Sequence, residues 1–235
     1  MSQDFHTTRW TLVLDAARTD GDQSRPALEY LCRTYWKPLY AYARRSGKCH
    51  DDAQDSIQAF FEYLLKKNLA GRADPEVGRF RTFLLCSLRH FMLTEHRDAT
   101  TQKRGGNVSL HIPFDESFEN LAEFRDNETP SAAYERKWAH TLVNLALDQL
   151  AAEQTASGLG DRFRFLRTLL LDPSNAAAIH PRLNAAFGMT DGAIRTSLSR
   201  LRARFREIIR MEVARLVDDP AEIEDEILHL LKSFN

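Results

Sequence analysis

The chain has 235 residues, a formal net charge of −1 and a hydrophobic fraction of 43%, which suits one large or two small domains with real hydrophobic cores. No apolar run approaches the roughly 20 residues that span a bilayer, and the amino terminus lacks a secretory signal, so we expect a cytoplasmic protein without a membrane partner. The three cysteines, Cys32, Cys49 and Cys86, lie far apart, which argues against a disulfide framework or a metal site.

The hydrophobic pattern predicts an all-α protein with two helical domains joined by a flexible linker, the second domain containing a helix-turn-helix. The one strand-type candidate is the short stretch Asn107–Phe114. Glycine, proline and aperiodic polar stretches set the predicted boundaries: a first domain over residues 1–104, a linker over 105–130, a second domain over 131–217 and an acidic C-terminal helix over 218–235.

The first domain contains an amphipathic helix over His50–Lys67. Its predicted buried stripe consists of Ala53, Ile57, Phe60, Phe61, Leu64 and Leu65. Its opposite side carries an acidic row at helical spacing, formed by Asp51, Asp55, Gln58 and Glu62. Such a row is usually a solvated face, and it also suits docking of a basic partner.

The next segment, Arg79–Gly106, interleaves aromatic and basic side chains. Phe80, Phe83, Leu84, Leu88 and Phe91 share one side, and a basic group follows: Arg89, His90, His96, Arg97, Lys103 and Arg104. Aromatic rings that stack on bases, beside cations that hold the backbone, suit single-stranded nucleic acid. The alternative is that the aromatics are core residues, and we favour it for Phe80 and Phe83. The two histidines do not have the spacing of a metal pair on a helix.

The second domain contains a basic amphipathic helix. Between residues 195 and 210 it carries six arginines and one acid, Glu207. The predicted apolar stripe is Ile194, Leu198, Leu201, Phe205 and Ile208, and the small residues Thr196, Ser199 and Ala203 centre the opposite face. Arg195, Arg202 and Arg206 flank that centre on one side, and Arg200 and Arg204 on the other. Small residues allow close approach to base edges, and flanking cations reach both phosphate backbones.

The residues that precede this helix in the sequence fit a helix-turn-helix. Gly188 suits a turn with positive φ, and Thr190 or Asp191 is a good N-cap. A short upstream helix has Ile179, Leu183 and Phe187 spaced by four. The alternative is a surface helix that merely carries arginines, and we favour duplex DNA binding because of the turn and the preceding helix.

The acidic tail holds six acids and one lysine after residue 217. Ile223, Ile227, Leu230 and Leu231 give it an apolar stripe, so it can dock. Two interpretations remain open: a regulatory tail that masks the arginine helix, or a terminal helix that completes a core.

The stretches "DDAQDSIQAFFEYLL", "FRTFLLCSLRHFMLTEHR" and "FGMTDGAIRTSLSRLRARFRE", in this order, together resemble bacterial sigma factors of the extracytoplasmic-function class. The resemblance implies that the first stretch binds the β′ clamp helices of core RNA polymerase through Asp51, Asp52, Asp55, Gln58, Phe61 and Glu62. It also implies that the protein contacts the β flap of polymerase. It implies −10 reading and melting by Phe83, Arg89, His90, His96, Arg97, Lys103 and Arg104. It implies −35 reading by Thr190, Asp191, Arg195, Thr196, Ser199, Arg200, Arg202, Arg204 and Arg206.

The resemblance also implies promoter DNA as a partner and allows an anti-sigma factor, and it implies no cofactor. Three positions depart from the family: His90 in place of Asn, Phe83 in place of Trp and Asn184 in place of Ala. Two other functions are therefore kept, a helix-turn-helix regulator that does not replace sigma, and a polymerase-binding adaptor with altered DNA reading. An enzyme is the weakest alternative, because no phosphate loop, paired carboxylates or nucleophile motif stands out.

Overall fold

The computed structural model describes residues 24–66, 79–99, 128–217 and 219–234. In these ranges every regular element is a helix, which confirms the predicted all-α class. The α-helices are α1 (Ser24–Arg45), α2 (His50–Lys66), α3 (Phe80–Ala99), α4 (Pro130–Ala156), α5 (Gly160–Leu171), α6 (Ala176–Phe187), α7 (Asp191–Ala214) and α8 (Ile223–Lys232), with 3-10 turns at Pro173–Asn175 and Pro220–Glu222. The strand candidate Asn107–Phe114 and most of the predicted linker lie outside the described residues.

The chain divides into two compact units. Unit 1 comprises Met1–Thr141 and Ala214–Asn235, and unit 2 comprises Leu142–Val213. This grouping differs from the predicted boundary at residue 131, since the start of α4 belongs with the amino-terminal helices. The reason is burial: Tyr134 and Trp138 are fully buried, and the Tyr134 hydroxyl donates to the carbonyl oxygen of Arg81 at 2.9 Å.

In unit 1, α1, α2 and α3 pack on one another around an aromatic core. The stripe predicted on α2 is buried as expected at Ala53, Ile57, Phe60, Phe61 and Leu64, while Leu65 is half-buried. The rings of Phe60 and Phe91 lie 5.7 Å apart, and those of Tyr35 and Phe80 lie 5.4 Å apart. These contacts hold α3 against the other two helices.

The far end of α3 is fixed by a polar contact as well. The Glu95 carboxylate accepts hydrogen bonds from Lys48 Nζ and from Ser56 Oγ, each at 2.9 Å. Ser56 is buried in α2, next in sequence to the exposed Asp55. Glu95 therefore sets where the last described turns of α3 lie relative to the acidic side of α2.

The C-terminal helix α8 belongs to unit 1. Ile223 and Leu230 are buried, and the Glu226 carboxylate is only 2% exposed. It forms ion pairs with Arg79 and Arg81. These contacts match the interpretation in which the terminal helix completes a core. Glu226 is paired at the start of α3, so its charge does not face the arginine helix. Masking of that helix by the other acids of the tail stays a prediction.

Unit 2 contains the end of α4, then α5, α6 and nearly all of α7. Its core includes Leu150, Leu166 and Leu183 together with the predicted stripe of α7. Ile194, Leu198, Leu201 and Ile208 of that stripe are buried as predicted, and Phe205 is half-buried. The stripe turns the arginines of α7 away from the core.

Candidate functional surfaces

The turn between α6 and α7 depends on one glycine and one asparagine. Gly188 has φ of +64°, as predicted, and its N–H donates to the Asn184 carbonyl at 2.8 Å. The Asn184 side-chain amide donates to the Met189 carbonyl at 3.2 Å. Sequence reasoning noted Asn184 only as a departure from a family pattern. The structure makes it a residue that satisfies a carbonyl in the turn.

The start of α7 is capped by Thr190. Its hydroxyl oxygen accepts a hydrogen bond from the Ala193 N–H at 3.2 Å, so Thr190 is the N-cap and Asp191 is the first helical residue. The exposed Asp191 carboxylate lies 2.8 Å from His180 Nδ1 of α6. His180, which the sequence analysis did not single out, thereby ties α6 to the amino-terminal end of α7.

The solvent-facing side of α7 presents small residues between cations. Besides Asp191 at its start, the exposed members of the predicted set on this helix are Arg195, Thr196, Ser199, Arg200, Arg202 and Arg206. The Thr196 hydroxyl donates to the Gly192 carbonyl at 3.0 Å, and Arg206 Nε donates to the Arg202 carbonyl at 3.2 Å. We name these six residues the arginine face. Its charge and its small centre suit the major groove of duplex DNA.

Arg204 stands apart from that face. Its guanidinium donates from Nε at 2.9 Å and from NH2 at 2.7 Å to the two oxygens of Glu153, and from NH1 to Glu207 at 2.9 Å. The hydrogen bond from Arg204 lowers the pKa of the Glu153 carboxyl. A guanidinium bonded through three nitrogens to two carboxylates is poorly placed to bind a phosphate.

The acidic side of α2 is smaller than predicted. Asp51, Asp52 and Asp55 are exposed and Gln58 is half-buried. Glu62 is only 9% exposed, with Lys66 Nζ at 3.5 Å from its carboxylate. Its predicted exposure is wrong because Phe60, Phe61 and Glu62 are buried in succession, so neighbouring helices cover this part of α2 on more than one side.

Phe61 is fully buried, so the side chain that the resemblance implied for polymerase contact lies in the core of unit 1. The three exposed aspartates at the start of α2 form the surface that remains. We name Asp51, Asp52 and Asp55 the acidic face.

The described part of α3 carries both the aromatic and the basic residues that were predicted for single-stranded DNA. Phe80 is buried, and its ring stacks with that of the half-buried Phe83 at 6.3 Å, which agrees with a core position for Phe80. Arg89 and His90 are exposed, and Leu93 beyond them is 65% exposed. The side chains of His96 and Arg97, and the residues Lys103 and Arg104, lie outside the described part of the chain.

The described ranges contain neither a metal-binding cluster nor a membrane-spanning helix. No group of three or more histidine, cysteine, aspartate or glutamate side chains in these ranges is arranged to hold a metal ion. None of the described helices combines the length and the apolar character needed to cross a bilayer.

Residues 31–102 match the family model of Sigma-70 region 2. The matched range covers α1 from Leu31 onward, α2 and α3, and thus includes the acidic face and the exposed Arg89 and His90 of α3. It spans less than half of the chain and supports a relation to sigma factors, which are not an enzyme family. Comparison with curated proteins and with solved structures gave no match.

Proposed function

We propose that this protein is a sigma factor of the extracytoplasmic-function class that binds core RNA polymerase and directs promoter-specific initiation. The observation that carries the proposal is the Sigma-70 region 2 match over residues 31–102. It is supported by a separate unit in which Gly188 joins two helices and the second exposes arginines. One chain thus offers a surface for polymerase and a surface for duplex DNA, and promoter-specific initiation needs both.

The proposed division of labour follows the predicted domains. Residues 1–104 bind core polymerase and the −10 element, residues 105–130 connect, and residues 131–217 read the −35 element through the helix-turn-helix centred in Leu142–Val213. Residues 218–235 contribute α8, which packs on unit 1. The proposed polymerase contacts are the β′ clamp helices for unit 1 and the β flap for unit 2. A cytoplasmic location and regulation by an anti-sigma factor belong to the same proposal.

Polymerase binding is assigned to the acidic face. Three exposed carboxylates within two turns of α2 attract a basic partner and orient its approach. Glu62 and Phe61 are buried, so we assign them a structural role: they hold α2 in the core of unit 1 and thereby position the acidic face.

The −10 element is assigned to the exposed side of α3 around its middle. Arg89 and His90 lie on its solvent-facing side, where a cation can hold a phosphate and an imidazole can stack on a base. Phe83 is half-buried against Phe80, so we propose for it a supporting contact rather than a full stacking platform.

The −35 element is assigned to the arginine face. Thr196 and Ser199 lie at its centre with Arg195 beside them, which suits base edges in the major groove. Arg200, Arg202 and Arg206 flank them and suit phosphates. Arg204 is left out of this set because Glu153 and Glu207 hold its guanidinium.

Reconstituted transcription tests the proposal. Purified protein is added to core polymerase and a library of promoter fragments, and run-off transcripts are sequenced; core alone is the control. A sigma factor co-purifies with core and yields transcripts from a defined start. An adaptor co-purifies without giving specific transcripts, and a helix-turn-helix regulator binds duplex DNA without binding core, so either result would contradict the proposal.

A further inference from the structure

Asp191 is an exposed acid at the amino-terminal end of the arginine face. It is the first residue of α7, and its side chain is 74% exposed. It precedes Arg195 by four positions and Ser199 by eight, so the three side chains share one side of the helix. A carboxylate is repelled by DNA phosphates, so an acid on a surface assigned to duplex DNA needs a favourable contact with another group of the DNA.

Capping of the helix does not account for this acid. Thr190 is the N-cap, since its hydroxyl oxygen accepts a hydrogen bond from the Ala193 N–H at 3.2 Å. An acid in the first turn also interacts favourably with the helix dipole, but this effect is small at an exposed position and gives the carboxylate no particular direction.

His180 supplies that direction. Its Nδ1 lies 2.8 Å from Oδ1 of Asp191, and a carboxylate can only accept hydrogen bonds, so Nδ1 is the donor. The imidazole is half-buried on α6, the helix that precedes α7 in the helix-turn-helix. One oxygen of Asp191 is therefore held by the neighbouring helix, and the side chain is oriented before DNA binds.

An oriented carboxylate on such a helix selects one kind of base edge. In a helix-turn-helix, the first residues of the second helix meet base edges in the major groove. There cytosine presents its N4 amino group as a donor, whereas guanine and thymine present acceptors and adenine presents a donor beside an acceptor. Because a carboxylate only accepts, cytosine is the base that suits Asp191.

We propose that Asp191 reads a cytosine in duplex DNA through the oxygen that His180 does not hold, and that His180 is a positioning residue for this contact. The inference rests on the proposed function and names a base at the −35 surface. Arg195 lies one helical turn further on, about 6 Å along the axis at about 1.5 Å per residue. With a rise of about 3.4 Å per base pair, the cytosine lies within about two base pairs of the position that Arg195 contacts.

The test is selection from a library of duplexes with randomised sequence, by full-length protein alone and together with core polymerase. The variants are Asp191→Ala, Asp191→Asn, His180→Ala and His180→Gln. Asp161→Asn is the matched control, because Asp161 is a similarly exposed acid of unit 2, at 79%, that is paired with Arg164. Bound duplexes are sequenced, Kd is measured for four duplexes that differ only at the selected base pair, and binding to core is followed by co-purification.

We expect wild type to prefer cytosine at one position by about tenfold. Asp191→Ala should lose that preference, and Asp191→Asn should transfer it to adenine, because an amide pairs with both N6 and N7 of adenine. His180→Ala should reduce the preference to roughly threefold, since the carboxylate is then free to rotate. His180→Gln, whose amide still donates, should restore it, and Asp161→Asn should select as wild type does.

A purely structural role of His180 would lower the affinity for all four duplexes alike and leave the base preference unchanged. That result, or an unchanged preference in both Asp191 variants, would overturn the inference. Selection of a sequence without binding to core would refute the sigma-factor proposal, and the Asp191 variants would still decide the inference. Failure of wild type to select any sequence, alone or with core, would refute both.

Discussion

Arg204 of α7 and Glu153 of α4 are joined by a bidentate pair of hydrogen bonds, 2.9 Å from Nε and 2.7 Å from NH2. The two residues lie 51 positions apart in the chain. The pair fixes one flank of α7 to the helix behind it. It also separates Arg204 from the other arginines of α7 in function, although the sequence places them all in one pattern.

Replacement of single arginines on α7 should show this difference in binding to duplex DNA. For Arg202→Ala we expect affinity to fall on all sequences and the slope of log K against log salt to shrink by about 0.9, the value for one lost phosphate contact. For Arg204→Ala we expect an unchanged slope. Titrations of a fixed duplex at several salt concentrations measure both slopes. A smaller slope for Arg204→Ala, with Arg202→Ala like wild type, would contradict the assignment.

The same pair should make stability depend on acid pH. The hydrogen bond from Arg204 lowers the pKa of Glu153 below its ordinary value of 4.5. A carboxyl with a lowered folded-state pKa binds fewer protons in the folded than in the unfolded protein, so its contribution is complete above the ordinary pKa and is lost as pH falls through the folded value. Wild type should exceed Glu153→Gln in stability near pH 7, and the two should converge once the pH falls below the lowered pKa of Glu153 in the folded protein. Denaturant unfolding at several pH values measures the difference in free energy of unfolding between the two proteins. A difference that stays constant at all pH values would show that ionisation of Glu153 is not its cause.

The turn before α7 should be sensitive to glycine replacement at one position only. Gly188 has φ of +64° and nothing within 4 Å of a built Cβ, so Gly188→Ala should cost about 1–2 kcal/mol through backbone conformation alone. Gly192 lies in α7 with only Thr190 Oγ1 near, at 3.9 Å, so Gly192→Ala should be neutral or stabilise by up to about 1 kcal/mol. Urea unfolding of the two variants compares them. Equal losses of stability would show that the left-handed turn is not the cause.

Core polymerase binding should depend on the acidic face. We expect Asp51→Lys with Asp55→Lys to weaken binding to core by about tenfold or more, because like charges then face a basic partner. The double reversal Asp148→Lys with Asp161→Lys changes the net charge equally at exposed acids of unit 2. It should weaken binding to core much less, because these acids lie outside the acidic face. Fluorescence titration with labelled core gives both affinities. Glu62→Lys is not a suitable test, since a buried lysine would disturb the fold of unit 1.

Promoter melting should depend on Arg89 and His90, which are exposed in the middle of α3. Stacking of a base on an aromatic side chain is worth about 1–3 kcal/mol in single-stranded complexes, so His90→Ala should lower open-complex formation by about tenfold. Arg89→Ala should lower it as well, through loss of a cation that holds the backbone, and both variants should keep core binding intact. Thr82→Ala, at an exposed position near the other end of α3, is the control. Permanganate footprints report the melted bases. Melting at the wild-type level in both variants would remove these residues from the −10 surface.

Much of the local structure follows from the sequence. The apolar stripes of α2 and α7 are buried nearly as their 3.6-residue periodicity predicts, because that period alone decides which side chains share a helix face. Gly188 and Thr190 take the predicted positions in the turn and at the N-cap, since positive φ and capping are properties of one or two residues. Asp51, Asp55 and Arg195 are exposed because they lie away from these apolar stripes on α2 and α7.

The tertiary structure decided which charged residues remain on the surface. Glu62 has the spacing of an exposed residue and is buried, because α2 is covered on more than one side where Phe60 and Phe61 also lie. Arg204 is paired with Glu153, and Glu226 lies beside Arg79 and Arg81, which precede it by about 150 positions in the sequence. Helical periodicity describes one segment at a time and contains no information on partners so distant along the chain. The packing of α7 on the end of α4 in unit 2 brought Arg204 to Glu153. The packing of α8 in unit 1 brought Glu226 to the start of α3.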